Sequence, residues 1–265
     1  MPFLQLPLGV RLRDSSVFES YFGGRNQAAV DALRSLATDA GPTCVWLHGP
    51  PGCGKSHLLQ ALCARGGSQD AAVAYVPLRE ISARDPSLLA GYGEFALVCL
   101  DDLQASEGRA DWERALFRLH QELDERGGRL VVAAAAPPAA LGFQLRDLAS
   151  RLNGGLVLTL NALDEDEQIA ALRLRAAQRG VELPDDVARF LMRRLPRTMK
   201  SLCAFLDRLD QASLAAQRKL TTPFVREVLA REQLSDAGGA SRGAADHPAH
   251  TQIADEQHER CESRD

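Results

Sequence analysis

The order of apolar and polar residues along this chain falls into two regimes. Between Thr43 and Leu160, short and almost wholly apolar runs recur: TCVWLH at 43–48, AVAYVPL at 72–78, FALVCLD at 95–101, LVVAAAA at 130–136 and LVLTL at 156–160. Each has strand length and no polar face, which is the pattern of strands buried on both sides. Between them lie runs with helical spacing. Val30, Leu33 and Leu36 share one face. So do Leu58, Leu59 and Leu62 within 55–65, and Leu116, Leu119 and Leu123 within 111–126. Residues 144–152 and the segment before Gly91 also read as helices. Strands alternating with helices predict an α/β domain whose parallel sheet is covered on both faces.

After Leu160 the strands stop. Helical periodicity continues over 164–179, 185–195, 198–219 and 223–231, with breaks at Leu163-Asp164 and Leu195-Pro196. The expected organisation is a flexible N-terminal peptide (1–13), a three-layer α/β domain (14–161), a small all-α domain (162–234) and a disordered acidic tail (235–265). The peptide MPFLQLPLGVRLR is an apolar run interrupted by Pro2, Pro7 and Gly9. The tail turns to Ala, Gly, Ser, His and charged residues, a composition that cannot bury a core.

Charge narrows the picture. The net charge is −4, and the tail alone, with seven acids and three arginines, accounts for it. The rest is therefore near neutral, without the basic footprint of a protein that grips DNA phosphates over its own surface. Six cysteines form no CxxC pair and no zinc spacing, and most sit in apolar runs as small buried hydrophobes. No apolar run reaches the roughly 20 residues of a membrane span, and no secretory leader is visible, so a cytoplasmic protein without a membrane partner is expected.

The chemistry sits first at Gly49-Pro50-Pro51-Gly52-Cys53-Gly54-Lys55-Ser56, which fits GxxxxGK[ST] between an expected strand and an expected helix. There the glycines let backbone N–H groups face phosphates, and the helix N-terminus adds its dipole. Lys55 adds a charge for the terminal phosphates and Ser56 a ligand for Mg²⁺. The strand ending in Asp101-Asp102 has the Walker B arrangement. Asp101 would support the Mg²⁺ shell, and Asp102 would orient water. His57 follows the loop and is counted with its nucleotide-binding residues, although packing is the plainer role for it and for His48. The cofactors expected are ADP or ATP with Mg²⁺.

The run from FESYFGGRN through GPPGCGKSHLLQAL and LVCLDDLQ to LRDLASRL resembles the AAA+ domain of the replication initiator DnaA. The run LPRTMKSLCAFLDRLDQASLAAQRKLTTPFVREVL is similar to the lid of the Hda family of DnaA-related regulators, and QLPL resembles that family's clamp-binding peptide. The resemblance covers about residues 3–232. It implies a negative regulator of replication initiation that binds nucleotide, docks on the sliding clamp (the beta subunit of DNA polymerase III) and stimulates hydrolysis of ATP held by DnaA. DNA would be reached mainly through the clamp, and self-association stays open. The DNA-reading helix-turn-helix domain of DnaA is not visible after the lid.

Carried over residue by residue, the resemblance makes Arg151 in DLASRL an arginine finger acting in trans, with Arg146 nearby. It makes Lys200, where the family usually has arginine, the sensor II cation, with Arg197 sharing its load. Tyr21 and Phe22, with Phe18, fall where the family wraps the base. Gln5, Leu6 and Leu8 would enter the clamp. One departure stands out: sensor I needs a polar residue where this chain has only Ala133–Ala136 before Pro137. Weak or absent ATPase activity of the chain by itself is therefore expected. The competing reading is a DnaA-like ATPase or helicase loader driven by its own turnover, which Asp102 favours.

Overall fold

A computed structural model describes residues 16–36, 41–68 and 71–240, with only the backbone described for 232–240. Five parallel strands, β1 (Cys44–His48), β2 (Val73–Pro77), β3 (Leu97–Asp101), β4 (Arg129–Ala134) and β5 (Leu156–Thr159), form one sheet in the order β2-β3-β4-β1-β5. Parallel neighbours require crossovers. These are supplied by α2 (Lys55–Gly67), the short α3 (Leu78–Ile81), α4 (Ala110–Arg126) and α5 (Arg146–Asn153), while α1 (Gln27–Leu36) precedes the first strand.

Alternation along the strands builds the two faces. Cys44, Trp46, Val76, Val98, Leu100 and Val132 join α3, α4 and α5 in one apolar cluster. Val45, Leu47, Leu97, Cys99, Val131 and Ala133 join α1 and α2 in the other. Successive side chains point to opposite faces, so a strand covered on both sides must be apolar throughout. Trp46 is fully buried, and its indole Nε1 donates to the Ala136 carbonyl at 3.0 Å. Burying each such side chain stabilises the fold by about 1.5–3 kcal/mol. The coverage fails at β5: it is the edge strand, and Leu156 and Val157 remain 38% and 41% exposed.

The helical domain comprises α6 (Glu165–Ala177), α7 (Asp185–Arg194), α8 (Met199–Ala216) and α9 (Thr222–Ala240) around Leu172, Leu191, Leu202, Phe205 and Val225. Asp164 caps α6, accepting from the Glu167 amide at 3.0 Å, while the Glu167 carboxylate accepts from the Asp164 amide at 3.1 Å. Arg25, from the segment before α1, pairs with both Asp164 and Glu167 and ties the two domains together. α9 continues to Ala240, past both Arg231 and Ser235, so the composition change alone does not end the helix. Gln5, Leu6 and Leu8, and the tail from residue 241, lie outside the described residues. No described helix is long and apolar enough to cross a membrane.

Candidate functional site

The phosphate-loop candidates Gly49–Ser56 connect β1 to α2 at the carboxyl edge of the sheet, where open α/β sheets hold ligands. Two glycines are demanded by this geometry. A Cβ at Gly49 would stand 2.3 Å from the Leu160 carbonyl oxygen. Gly54 has φ +97°, and a Cβ there would meet the Tyr21 ring at 2.5 Å. Lys55 Nζ donates to the carbonyls of Gly49 at 2.6 Å and Pro50 at 3.1 Å, so it is folded over the loop. Cys53 is buried, and burial pushes its thiol pKa up although the Lys55 ammonium opposes the shift. Burial likewise raises the Cys44 thiol to about 12. These thiols stay protonated and act as packing groups.

Tyr21 braces the loop. Its hydroxyl donates to the Cys53 carbonyl at 2.9 Å, and burial raises its pKa to about 12. Asn26 reaches that hydroxyl at 3.4 Å and also joins Asn161 through both of its side-chain ends. Phe18 is core, and Phe22 lies half-buried beside Gly24. His57 is held by the Val17 carbonyl at 3.0 Å and lies 3.2 Å from the Ser20 hydroxyl. Burial keeps its pKa below the ordinary value, a packing role. His48 meets Thr159 Oγ1 at 3.0 Å.

On the next strands the acids are fully engaged. Buried Asp101 accepts the Tyr75 hydroxyl at 2.7 Å on Oδ2 and the Asp102 amide at 3.0 Å on Oδ1. The pKa of the Tyr75 hydroxyl is raised by burial and by the Asp101 charge. Tyr75 thus helps to hold Asp101, a role that its place in an apolar strand conceals. Asp102, with left-handed backbone (φ 57°), pairs with Arg79 at 3.2 Å and accepts from Gln104 Nε2 at 2.9 Å. No group of three or more His, Cys, Asp or Glu forms a metal cage among the described residues.

The other candidates lie apart from this network. Arg197 pairs with Glu165 at 3.3 Å, and Lys200 is exposed on α8 with no side-chain partner among the described residues. Arg151 lies on α5. With His120, Pro42, Thr43, Cys44, Gly154 and Gly155 it lines a cavity of about 380 Å³ at the amino ends of β1 and β5. At roughly 3.3 Å per residue, β1 separates this cavity from the phosphate loop by about 13 Å. The Arg151 guanidinium stacks over the Phe117 ring at 5.1 Å and has no ion pair or hydrogen bond with any described residue. Arg146, at the start of the same helix, is exposed.

Sequence reasoning missed what aims α5. Glu113 is fully buried, and its carboxylate accepts from the amides of Gly108 at 3.1 Å and Leu145 at 2.7 Å, the latter at the entry to α5. The only available signal was an acid on the face of α4 that carries Leu116.

Comparison with known proteins agrees with this fold. A model of the bacterial DnaA ATPase domain matches residues 12–159, and one of the Hda lid domain matches residues 164–229. Domain III of the replication initiation protein DnaA from Thermotoga maritima is similar at TM-score 0.68 and 21% identity, over 83% of this chain and 98% of that one. AMPPCP-bound DnaA from Aquifex aeolicus is similar at 0.66 and 20%, over 87% and 72%. The RuvB Holliday junction branch migration motor of Thermotoga maritima is similar at 0.57 and 14%, over 80% and 72%. At these identities the structures speak for the fold. The family models cover both domains, and the chain belongs to the DnaA-related AAA+ family of replication proteins, with a lid of the Hda kind.

Proposed function

We propose that this chain holds an adenine nucleotide at its own loop as a structural switch and stimulates hydrolysis of ATP held by DnaA. The observation that carries the reading is Arg151: a guanidinium with no ion-pair or hydrogen-bond partner among the described residues, at the end of the sheet opposite its own phosphate loop. A cation so situated is available to a second molecule and remote from the nucleotide of its own chain. Presented to a partner's site, it would neutralise charge developing on the γ-phosphate, worth roughly 10³–10⁵ in rate in related enzymes.

Gly49–Ser56 and Lys55 would hold the phosphates, with Ser56 and Asp101 toward Mg²⁺, His57 and Tyr21 behind the loop, Phe22 toward the base and Arg197 or Lys200 from the lid. A bound magnesium nucleotide would supply the charged ligand that draws Lys55 off the Gly49 and Pro50 carbonyls. DnaA and the sliding clamp are the partners. Gln5, Leu6 and Leu8 are the docking residues, and that part rests on the QLPL run alone. The negative control of initiation follows from depleting ATP-bound DnaA.

The test measures ATP hydrolysis by DnaA on clamp-loaded DNA, with and without this protein. Stimulation that vanishes in Arg151→Ala is expected. Stimulation untouched by that change would reduce the protein to an adaptor. Robust turnover by this chain by itself, insensitive to DnaA, would favour the competing ATPase reading. Replacing Gln5 and Leu8 with Ala should abolish clamp binding, and retained affinity would refute the docking role.

A further inference from the structure

On the helical domain, three arginines gather around one ring. Phe190 on α7 is buried; the Arg194 guanidinium lies over its ring at 5.8 Å, and that of Arg226, from α9, at 5.3 Å. Arg193, three residues on from Phe190, shares that helical surface. All three arginines are exposed, and none has an ion pair or hydrogen bond with any described residue. The acids on α7, and Glu227 on α9, are committed elsewhere. Asp185 pairs with Arg173 and Arg189, Asp186 accepts from the Thr222 hydroxyl at 2.8 Å, and Glu227 pairs with Arg218 and Arg231. The dipole of α7 favours Arg193 and Arg194 in its last turn. It does not account for Arg226, which comes one turn into α9.

We propose that this arginine patch is the docking surface for the chain's own acidic segment at 255–265. That segment carries Asp255, Glu256, Glu259, Glu262 and Asp265 against two arginines, a net charge of −3. Its reach fits. α9 leads away from the patch, and at 1.5 Å per residue Ala240 lies about 21 Å along the helix from Arg226. Asp255 comes fifteen residues after Ala240, and a coil of that length spans roughly 20 Å, the distance back to the patch. An exposed ion pair holds little by itself. A tether whose length matches the span keeps its charges at a high effective concentration, so several weak pairs form together. The segment is then a counter-charge that closes the patch to outside phosphates such as those of DNA, which would have to displace it. This inference does not depend on what Gly49–Ser56 binds.

The test puts a nitroxide label on Cys261 of the full chain, with Cys203→Ser; Cys44, Cys53, Cys63 and Cys99 are buried and stay unlabelled. Paramagnetic broadening of backbone amide signals is then read by NMR. At about 0.05 M salt the amides of Arg193, Arg194 and Arg226 should be broadened and that of Leu33 on α1 should not; at about 0.5 M the broadening should vanish. It should also vanish at low salt when Asp255→Asn, Glu256→Gln, Glu259→Gln and Glu262→Gln are combined, a change that leaves the folded domains untouched. The triple variant Arg193→Gln/Arg194→Gln/Arg226→Gln should do the same from the other side. Absence of broadening at the patch in the unaltered segment, or broadening that survives its neutralisation, overturns the docking. A second measurement separates the segment from DNA as the occupant. The neutralised variant should bind a fluorescent duplex at low salt a few-fold more tightly than the unaltered chain, and the three arginine changes should remove that gain. Duplex binding that depends on the three arginines yet is the same with and without the acids would assign the patch to nucleic acid and overturn the proposal.

Discussion

The two ends of the parallel sheet treat their polar groups in opposite ways. At the carboxyl end the charged groups of the loop and of β3 have partners within the chain. Lys55 is on two loop carbonyls, Asp101 is on Tyr75 and an amide, and Asp102 is between Arg79 and Gln104. At the amino end, Arg151 lies over the Phe117 ring with no ion-pair or hydrogen-bond partner among the described residues, and buried His120 leaves Nδ1 without a hydrogen-bond partner among them. A saturated end suits a ligand that is held; an unsaturated end suits a partner that comes and goes. The contrast has a physical basis, since a polar group withheld from water and from protein partners is costly unless something else satisfies it.

The largest effect expected is at the open end. Arg151→Ala should lower stimulated hydrolysis by DnaA by about 10³-fold or more while leaving this chain's own ADP affinity and melting temperature nearly unchanged. A parallel loss of ADP binding, read by calorimetry, would show that the two ends are not independent. At the saturated end, Lys55→Ala should weaken ADP binding by roughly 100-fold through lost charge-assisted hydrogen bonds. Retained affinity would mean that the lysine stays on its carbonyls when nucleotide binds.

Between the ends, Glu113→Ala should destabilise the fold by roughly 2–4 kcal/mol in urea unfolding, because the Gly108 and Leu145 amides lose their acceptor. Glu113→Gln should recover part of that loss. If Glu113→Ala also removes stimulation while ADP affinity persists, the brace is what aims α5. The smallest effect is in pH. Burial holds the pKa values of His48, His57 and His120 below the ordinary 6.5, with nearby Lys55, Arg175 and Arg151 charges adding to it. A group with a depressed folded pKa stabilises the fold above its unfolded pKa and loses that contribution as pH falls below it. Unfolding midpoints should therefore fall between about pH 6.5 and 5, and His57→Gln should flatten the slope. A midpoint that rises on acidification would overturn this account. Glu167, whose burial opposes but whose Asp164 amide and Arg25 contacts outweigh it, sits below its ordinary 4.5 and acts only at lower pH.

Much of the fold was legible because each strand had to satisfy two faces at once. Cys44 and Trp46 belong to one cluster and Val45 and Leu47 to the other, so an unbroken apolar run was the only solution. The same rule misreads LVLTL, since an apolar run cannot tell an inner strand from an edge strand with Leu156 and Val157 uncovered. The loop Gly49–Ser56 was legible because its residues are contiguous. Gln104 and Tyr75 were not. Ala133–Ala136 correctly announces that the carboxyl end of β4 has no polar side chain, yet says nothing about one arriving from 31 residues earlier.

The sequence by itself determined the two domains, the five strands, the glycine-rich loop after β1 and the acids at the end of β3, because period, length and glycine spacing are local properties. Only the tertiary structure decided which charges are occupied. Arg79 and Gln104 reach Asp102 because β2, β3 and β4 are neighbours in the sheet. Arg151 is left open because α5 returns to the amino end of β1, away from the loop that β1 feeds. Partnering is a matter of distance in space, and the order of strands in a sheet is not the order of residues in a chain.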